Sequence, residues 1–447
     1  MPTDPAILDR LTDLVALAKR KGAEGADALF IRSVGMAQSV RLGQPERRER
    51  EESQDIGLRI LIGQRQAAAS SADMSPAALD ALADRVVAMA KAVPEDPFIG
   101  LASPEQLAKS QPDLDLEDPV EPSPERLSEL ALACEDAARA VPGITNSEGG
   151  DASWSRSEVA LVASNGFAGA YARTGHFISA AVIAGSGEGM ERDYDYHSAI
   201  HAEDLEAAEE IGRRAGERTV KRLDARKVET TKVPVVYDPR VSGSLLGHLA
   251  GAINGAAVAR GTSFLKSKLG EVVLPEDVTV VDDPFRLRGR RSHPFDGEGL
   301  AGARRAIVDK GRLTGWFLDL GTARQLGLES SGSAARGTGG PPSPSPANLY
   351  MEPGAMTPEA MIAEIEQGFY VTEMMGRGVN DVTGDYSRGA SGFWIENGEI
   401  AFAVSGLTIA GNLLEMYPRL TAANDLTFRT GMDAPTLRID GLTVAGV

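Results

Sequence analysis

Two carboxylates lie close together in the segment HPFDGEGL, residues 293–300, and are the first candidates for chemistry in this chain. Asp296 and Glu298 are flanked by Gly297 and Gly299, so no bulky neighbour in the sequence shields them. Two acids at this spacing can act as general acid and base, or line a peptide cleft and bind a substrate amine. The same residues can instead form a tight turn whose acids cap nearby backbone amides. The sequence leaves both interpretations open.

Histidine spacing decides whether the chain can build a catalytic zinc site by itself. Such a site needs three protein ligands and an open fourth position, and a helix supplies two of them as histidines at i and i+4 with a glutamate between. Only His197 and His201 have that spacing among the five histidines, and Ser198 stands where the glutamate is needed. The segment also lies beside extended sequence, in which positions four apart are distant. We therefore expect no metal there and interpret the pair as surface histidines near a domain joint.

The stretch GSLLGHLAGAINGAAVARGTSFL, residues 243–265, has helical character and no charged residue before Arg260. Gly247, Gly251 and Gly255 recur every four residues, which on a helix forms one smooth row against which another backbone can pack. The stretch has few large apolar side chains and several polar ones, so a membrane span is disfavoured. We predict a buried helix with its glycine face in tight contact.

Composition excludes several classes of protein. A net charge of −18 repels phosphate backbones, so we expect no direct nucleic-acid contact. The single cysteine, Cys134, excludes an internal disulfide, and its helical spacing predicts a buried structural thiol. No GxSxG elbow supports a serine hydrolase, and the glycines of 378–399 lack the order and the lysine of a phosphate loop. The N-terminus lacks the basic start and apolar core of a signal peptide, which favours a cytoplasmic protein.

The helices and strands expected in the first half of the chain, which help to position the candidate residues, follow a repeated order. The pattern helix, strands, helix occurs near 5–93 and again near 124–223. Apolar residues of 5–21 share one helical face, 28–42 is extended, and 57–71 is typical of a hairpin. The repeat suggests an internal duplication, although no residue-level identity supports it.

Caps and turns mark where these elements begin and end. Ser75 before Pro76 is an N-cap with proline at the first helical position, and predicts a helix through about residue 93. The Ser-Asn-Gly sequence at 164–166 predicts a turn between two strands. Further helices are expected over 124–140 and 203–223.

Proline content and polar runs predict the domain organisation. Residues 94–124 are rich in proline and acids and are interpreted as a linker, and the polar run 224–232 is interpreted as a domain boundary. We predict an N-terminal α+β domain, 1–227, and a strand-rich C-terminal domain, 228–447, with one glycine-faced buried helix. The Pro/Ser run in 341–354 is typical either of a flexible lip beside an exposed strand edge or of a plain surface loop. The fold class expected is α+β.

Five segments of the C-terminal half resemble the TldD/PmbA family, also called modulators of DNA gyrase. They are HPFDGEGL (293–300), AIVDKGRLTGWFLDLGTARQLGLESSGSAARG (306–337), PPSPSPANLYMEPG (341–354), GVNDVTGDYSRGASGFWIENGE (378–399) and SGLTIAGNLLEMYPRL (405–420). The resemblance extends, less strongly, toward the N-terminus. The family name refers to gyrase, but nothing in the acidic composition supports contact with DNA itself.

Two segments of the family's zinc site differ in this chain. The metallopeptidase member carries an HExxxH zinc helix where this chain has 243–265, in which His248 is followed by Leu249. That member also places a cysteine ligand near 405–420, where this chain has none. The resemblance therefore implies the PmbA/TldE branch, which lacks the zinc motif, and no metal or cofactor in this chain. The positions of the degenerate zinc helix are Gly247, His248 and Gly251.

The function that the resemblance implies is that of a metal-free subunit in a cytoplasmic TldD/TldE-type metalloprotease, which degrades or processes small or unfolded peptides. Zinc and the catalytic base would come from a TldD-like partner in a heterodimer, and a homodimer is the other assembly considered. No nucleic acid and no membrane is expected as a partner. The cavity shared with the partner would be lined by Asp296, Glu298, Asn348, Tyr350 and Asn412. The alternative is a non-enzymatic binding or scaffold protein, a homodimer that modulates another complex.

Overall fold

The computed structural model describes residues 5–446. Its α-helices are α1 (Pro5–Arg20), α2 (Pro76–Ala92), α3 (Pro124–Arg139), α4 (Ala208–Lys221), α5 (Pro239–Ala252), α6 (Gly255–Ala259), α7 (Leu320–Leu326), α8 (Pro358–Ala363) and α9 (Leu413–Met416). Its strands are β1 (Gly25–Arg41), β2 (Gln44–Ile62), β3 (Arg65–Ser71), β4 (Ile144–Ala163), β5 (Ala168–Ala184), β6 (Glu191–Ala199), β7 (Thr231–Tyr237), β8 (Val280–Asp283), β9 (Arg305–Asp309), β10 (Arg312–Leu313), β11 (Ala334–Ala335), β12 (Ser343–Pro344), β13 (Asn348–Met351), β14 (Gln367–Met375), β15 (Asp385–Glu396), β16 (Glu399–Asn412), β17 (Leu420–Ala422), β18 (Met432–Asp433) and β19 (Leu437–Ala445).

One antiparallel sheet contains the strands of the first half, in the order β3-β2-β1-β4-β5-β6. The chain runs helix, three strands, helix from α1 to α2, and the same order returns from α3 to α4. Each set of three strands is consecutive in the sheet, and the two sets meet where β1 pairs with β4. The repeat inferred from the sequence is therefore present in the topology.

Alternation along the long strands gives this sheet two different faces. Phe30 on β1 packs with α1 and α2, and Met36 and Trp154 pack with α3 and α4, so both helix pairs cover the same face. Leu29 and its neighbours point to the opposite face, where they meet Phe295 from the C-terminal half. The sheet thereby supports the segment that carries Asp296 and Glu298.

The C-terminal half is built around a small barrel. Strands β16, β15, β14, β7 and β19 are paired in that order, and a further pairing of β16 with β19 closes the ring. Helix α5 lies against β14 and β18, and a second sheet with the order β10-β9-β8-β13-β18 lies beside it. One large apolar core joins these parts, from Val233 on β7 to Val444 on β19. The mixture of helices and strands confirms the α+β class.

Several locally encoded elements agree with their sequence signals. Ser75 caps α2 through its side chain, with Pro76 at the first position, and Ser123 caps α3 in the same way. Cys134 is fully buried, and burial raises the pKa of its thiol to about 12, which confirms a structural thiol. Helix α4 begins at Ala208, five residues later than expected, because 202–204 forms a separate 3₁₀ turn.

The segment predicted as a linker, 94–124, forms no named helix or strand before α3 begins. It is nevertheless packed, since Leu114 and Leu116 are buried. The division of the chain into 1–227 and 228–447 stays a prediction. Within residues 5–446, no helix is both long enough and apolar enough to cross a membrane.

The stretch 243–265 is not one helix, and this corrects the sequence prediction. Helix α5 ends at Ala252, and Asn254 caps the short α6 by accepting a hydrogen bond from the Ala256 N–H. Phe317 passes close to this break, because its N–H donates to Ile253 and its carbonyl accepts from Gly255. The passing backbone provides hydrogen bonds that a continuous helix would have made internally, so the break is stabilised by tertiary contact.

The glycine row is also oriented differently from the prediction. A Cβ built on Gly251 meets no atom within 4 Å, and one on Gly247 meets only the Met432 sulfur at 4.0 Å. Close backbone contact occurs instead at Gly243, where a built Cβ would lie 2.6 Å from the Met432 carbonyl oxygen, and at Gly255, where it would lie 2.7 Å from the Phe317 carbonyl oxygen. The packed side of α5 is its leucine side, and the prediction of a tightly packed Gly251 is wrong for this chain.

A pair of glycine variants tests this geometry. Gly251→Leu is expected to leave the melting temperature of the isolated chain unchanged or slightly raised, because the side chain enters open space on a helix. Gly255→Ala is expected to destabilise the fold by about 1–3 kcal/mol through overpacking against Leu318 and Phe317. Thermal and urea unfolding of both variants measure the difference. A large loss of stability in Gly251→Leu would place that residue in a packed interface.

Candidate functional site

Helix α5 presents its polar side beside the barrel, and local sequence explains why. Asp238 caps the helix by accepting from the Arg240 N–H at 2.9 Å, and Pro239 occupies the first turn. Leu245, Leu246 and Leu249 form the buried stripe. Their spacing leaves the residues between them on the other side of the helix, and these are Ser244, Gly247, His248 and Gly251.

Strand β15 supplies the residues that surround His248. The Tyr386 ring meets the imidazole edge-on, with the ring centroids 6.0 Å apart. Nη1 of Arg388 lies 3.5 Å from Nε2 of His248, and Nε of Arg388 donates to the Met375 carbonyl at 3.2 Å. Burial lowers the pKa of His248, and the positive charge of Arg388 lowers it further. The imidazole is therefore neutral at pH 7.

This arrangement does not fit a catalytic zinc ion. Zinc would bind a free ring nitrogen of His248, yet the Nε2 side faces the guanidinium of Arg388, which repels a cation. Within residues 5–446, no three or more His, Cys, Asp or Glu side chains are grouped so that they could hold a metal. On this side of α5 a neutral histidine and two glycines lie beside Arg388 of β15, an arrangement that suits contact with a polypeptide or another polar group.

Asn412 lies on the strand next to β15, where it pairs with Asp385. Its Oδ1 accepts from the Leu414 N–H and so caps α9. Its Nδ2 donates to the Thr383 carbonyl and to Oδ1 of Asp385, both at 3.0 Å. The side chain stabilises this end of the barrel, and its predicted contact with substrate stays a prediction.

Asp296 and Glu298 lie against the N-terminal sheet and the start of α7. Oδ1 of Asp296 accepts from the N–H groups of Glu298 and Leu300 at 2.9 Å, and its Oδ2 accepts from Ala334 at 3.1 Å. Oε2 of Glu298 accepts from the Leu320 N–H at 2.8 Å, at the start of α7. Both acids are buried, so the contacts are those of a turn whose acids cap backbone amides.

Burial changes the ionisation of both acids. It raises the pKa of Asp296 to about 6, although three backbone hydrogen bonds oppose the shift. It raises the pKa of Glu298 to about 8, and the charge of Asp296 adds to that increase. Glu298 therefore holds a proton at neutral pH.

A buried charge network adjoins this turn. Asp27 on β1 accepts from Nε of Arg59 at 2.8 Å and from Nη1 of Arg336, and all three side chains are almost fully buried. Arg336 and Asp296 line a cavity of about 170 Å³ between the N-terminal sheet and the C-terminal loops. The network joins the two halves of the chain beside the predicted acids. Their role in holding substrate stays a prediction.

Asn348 and Tyr350 lie on β13, which pairs with β8 on one side and β18 on the other. The strand is therefore not the exposed edge that the Pro/Ser run suggested. Asn348 is buried, accepts from the Arg291 N–H and donates to the Asp283 carbonyl and to Oγ of Ser292. Its hydrogen-bonding capacity is used internally because β18 and the 286–292 loop fold over the strand.

His197 and His201, which the sequence analysis interpreted as surface histidines, are at least partly buried. His201 is buried and lies 3.1 Å from a carboxylate oxygen of Asp115, and His197 is half-buried with Nδ1 accepting from the Glu206 N–H. They are not surface residues, because the segments around 115 and 202–206 fold over the end of β6. Arg388 was missed by sequence reasoning, since only the packing of β15 on α5 brings it to His248.

Three family models match successive parts of the chain. They describe PmbA/TldA metallopeptidase domain 1 over residues 26–90, the central domain over residues 117–223 and the C-terminal domain over residues 230–446. Metalloprotease PmbA of Escherichia coli O157:H7 is 38% identical over 426 residues, which are 95% of this chain and 93% of that protein. A metalloprotease PmbA homolog of Haemophilus influenzae is 33% identical over 437 residues, which are 97% of this chain and 94% of that protein.

Solved structures share the fold over the whole chain. A crystal structure from Bacteroides thetaiotaomicron, described as a modulator of DNA gyrase, matches with a TM-score of 0.92 and 28% identity, over 100% of both chains. The structure of TldE from Thermococcus kodakarensis matches with a TM-score of 0.87 over 98% of this chain and 100% of that one. Identity to that protein is 22%, so it is similar in fold alone.

Proposed function

Because the chain belongs to the PmbA/TldD metallopeptidase family, we propose that it is the metal-free subunit of a two-subunit zinc protease. In this role it degrades or processes small or unfolded peptides together with a TldD-like subunit. The partner supplies the zinc ion and the glutamate base, and the metal lowers the pKa of the attacking water. This chain supplies a wall of the shared chamber and contacts to the peptide, in the cytoplasm.

The contact between His248 and Arg388 carries the proposal. In the zinc helix of a metallopeptidase, a histidine nitrogen must approach a divalent cation. Here the guanidinium occupies that side of the imidazole at 3.5 Å, and the neighbouring positions are Gly247 and Gly251. The positive charge of Arg388 beside the only histidine of α5 supports a role in which this helix lines the catalytic chamber but does not bind the zinc ion.

The exposed side of α5 supports a docking role for the same region. Gly251 leaves open space above the helix, and His248 is half-buried beside it. A partner segment or an extended peptide can approach the helix backbone closely where side chains are absent. The candidates Asp296, Glu298, Asn348, Tyr350 and Asn412 remain proposed positions around the substrate cavity.

Metal analysis and peptide hydrolysis test the assignment. The isolated chain, purified without chelators, is expected to contain no stoichiometric zinc and to cleave no unfolded peptide. Mixed with an HExxxH-bearing homologue, it is expected to form a complex with about one zinc per pair and to hydrolyse peptides. His248→Ala is expected to leave zinc content unchanged, because its nitrogen is not a ligand.

His197→Ala is the matched control, since that histidine lies on β6 and not on α5. One zinc per isolated chain, lost together with activity in His248→Ala, would overturn the proposal. Formation of a homodimer that never associates with the homologue and never cleaves peptides would favour the scaffold alternative.

A further inference from the structure

A basic run interrupts this acidic chain at RLRGRR, residues 286–291. Four of its six residues are arginines in a protein with a net charge of −18. The run forms a loop between β8 and β9, and it lines a cavity of about 350 Å³ together with the end of β6 and the 428–433 loop. A local excess of positive charge inside an acidic protein attracts anions to that place.

Two of the arginines in this cavity wall have no acidic partner. Arg288 is paired with Asp115, Glu203 and Asp204. By contrast, within residues 5–446 no carboxylate lies within 4.0 Å of the guanidinium of Arg286 or Arg290. A partly buried guanidinium without an ion pair is unfavourable, and for Arg286 the charges of Asp433 and Asp283 offset only part of the effect of burial on its pKa.

The geometry around these two side chains keeps their donors available. The Arg286 guanidinium lies 3.5 Å above the ring of Phe428, which holds it in place by a cation–π contact and leaves its N–H groups in the plane of the guanidinium. Within the described part of the chain, Arg290 donates one hydrogen bond, from Nη1 to the Ala199 carbonyl at 3.3 Å. Burial lowers the pKa of both guanidinium groups, and the charge of Arg173 adds to this for Arg290.

The carboxylates of the same cavity form hydrogen bonds or ion pairs with other residues. Asp433 accepts from the N–H groups of Arg429, Thr430 and Gly431 and from the Thr430 hydroxyl. Asp204 is paired with Arg288. Among residues 5–446, neither carboxylate forms an ion pair with Arg286 or Arg290, although the charge of Asp433 still acts on Arg286.

We propose that this cavity binds a carboxylate, held by the guanidinium groups of Arg286 and Arg290. A guanidinium matches a carboxylate through two parallel N–H···O bonds, which gives both charge balance and orientation. A guanidinium can also bind phosphate, but this cavity lacks the free backbone donors of a phosphate nest, because the N–H groups of Gly289 and Gly431 are used inside the protein. The inference goes beyond the proteolytic role and does not depend on the zinc-bearing partner.

Calorimetry on the full isolated chain at low salt tests the site. The probes are N-acetyl-Ala-Glu amide, N-acetyl-Ala-Gln amide, glutarate and inorganic phosphate. The Glu peptide is expected to bind and the Gln peptide is not, because the two differ by a single carboxylate. Equal binding of glutarate and the Glu peptide assigns the site to free carboxylates, and binding of the peptide alone assigns it to peptide side chains.

Two variants locate the binding to this cavity without disturbing the core. Leu287→Glu adds a negative charge at the rim, where that side chain is 66% exposed, and is expected to weaken carboxylate binding at least tenfold. Leu269→Glu is the matched control at another exposed leucine and is expected to bind as the unmodified chain does. Arg290→Gln removes one of the two proposed guanidinium contacts and is expected to weaken carboxylate binding to a similar extent. Circular dichroism verifies that this variant is folded.

Three results would overturn the proposal. They are equal binding of the Gln and Glu peptides, binding of phosphate without any carboxylate, and unchanged affinity in Leu287→Glu. The absence of measurable binding by every probe would overturn it as well. These outcomes are distinguishable from failure of the proteolytic proposal, because no partner subunit is present in the measurement.

Discussion

Asp27→Ala is expected to destabilise the protein by about 3–5 kcal/mol, because it leaves two buried guanidinium groups without their shared counter-ion. Asp27 is 2% exposed, and it accepts from Arg59 of the neighbouring strand and from Arg336 of the C-terminal half. Although burial raises the pKa of Asp27, the charges of Arg336 and Arg59 lower it below its ordinary value. The carboxylate is therefore ionised and stabilising at neutral pH.

Urea unfolding of the variant and the unmodified chain measures this loss, since the slope (m-value) and the midpoint of each transition give the free energy of unfolding. Asp80→Ala is the control, since Asp80 forms an exposed ion pair with Lys21 at 2.9 Å and its removal is expected to leave the midpoint unchanged. Equal midpoints for the two variants would show that the buried network adds nothing to stability. A loss confined to Asp27→Ala would also show that the junction between the sheet and the C-terminal loops depends on this charge.

Glu298→Gln is expected to stabilise the protein at alkaline pH by a few kcal/mol, on the order of what a pKa shift of this size implies. Burial and the charge of Asp296 raise the pKa of Glu298 from 4.5 to about 8. Between these values the folded chain holds a proton that the unfolded chain has released, so stability falls as pH rises through this range. Glutamine keeps the acceptor for the Leu320 N–H and removes the charge.

Melting temperatures measured from pH 5 to pH 9 test this expectation. The curves for the unmodified chain and Glu298→Gln are expected to nearly coincide at pH 5 and to separate progressively up to about pH 8. Glu399→Gln, an exposed position, is expected to follow the unmodified chain throughout. Parallel curves for the unmodified chain and Glu298→Gln would mean that Glu298 is ionised at neutral pH in the folded state.

The sequence by itself determined the elements whose signals lie within a few residues. Ser75 and Ser123 accept from N–H groups three residues ahead, and the prolines that follow them start α2 and α3 at the expected positions. Apolar periodicity located α1, and the hairpin signal of 57–71 and the turn signal at 164–166 separated the strands on either side. The α+β class and the family followed from the order of such elements and from motifs that are contiguous in the chain.

Tertiary structure alone decided the environment of each candidate residue. Arg388 reaches His248 across 140 positions and Arg336 reaches Asp27 across 309, so no local pattern could reveal either contact. The Phe317 backbone ends α5 early, and residues 320 and 334 supply the N–H groups that turn Glu298 and Asp296 into buried caps. Caps and turns arise from hydrogen bonds within one segment, whereas burial and neighbouring charge depend on which distant segments pack together.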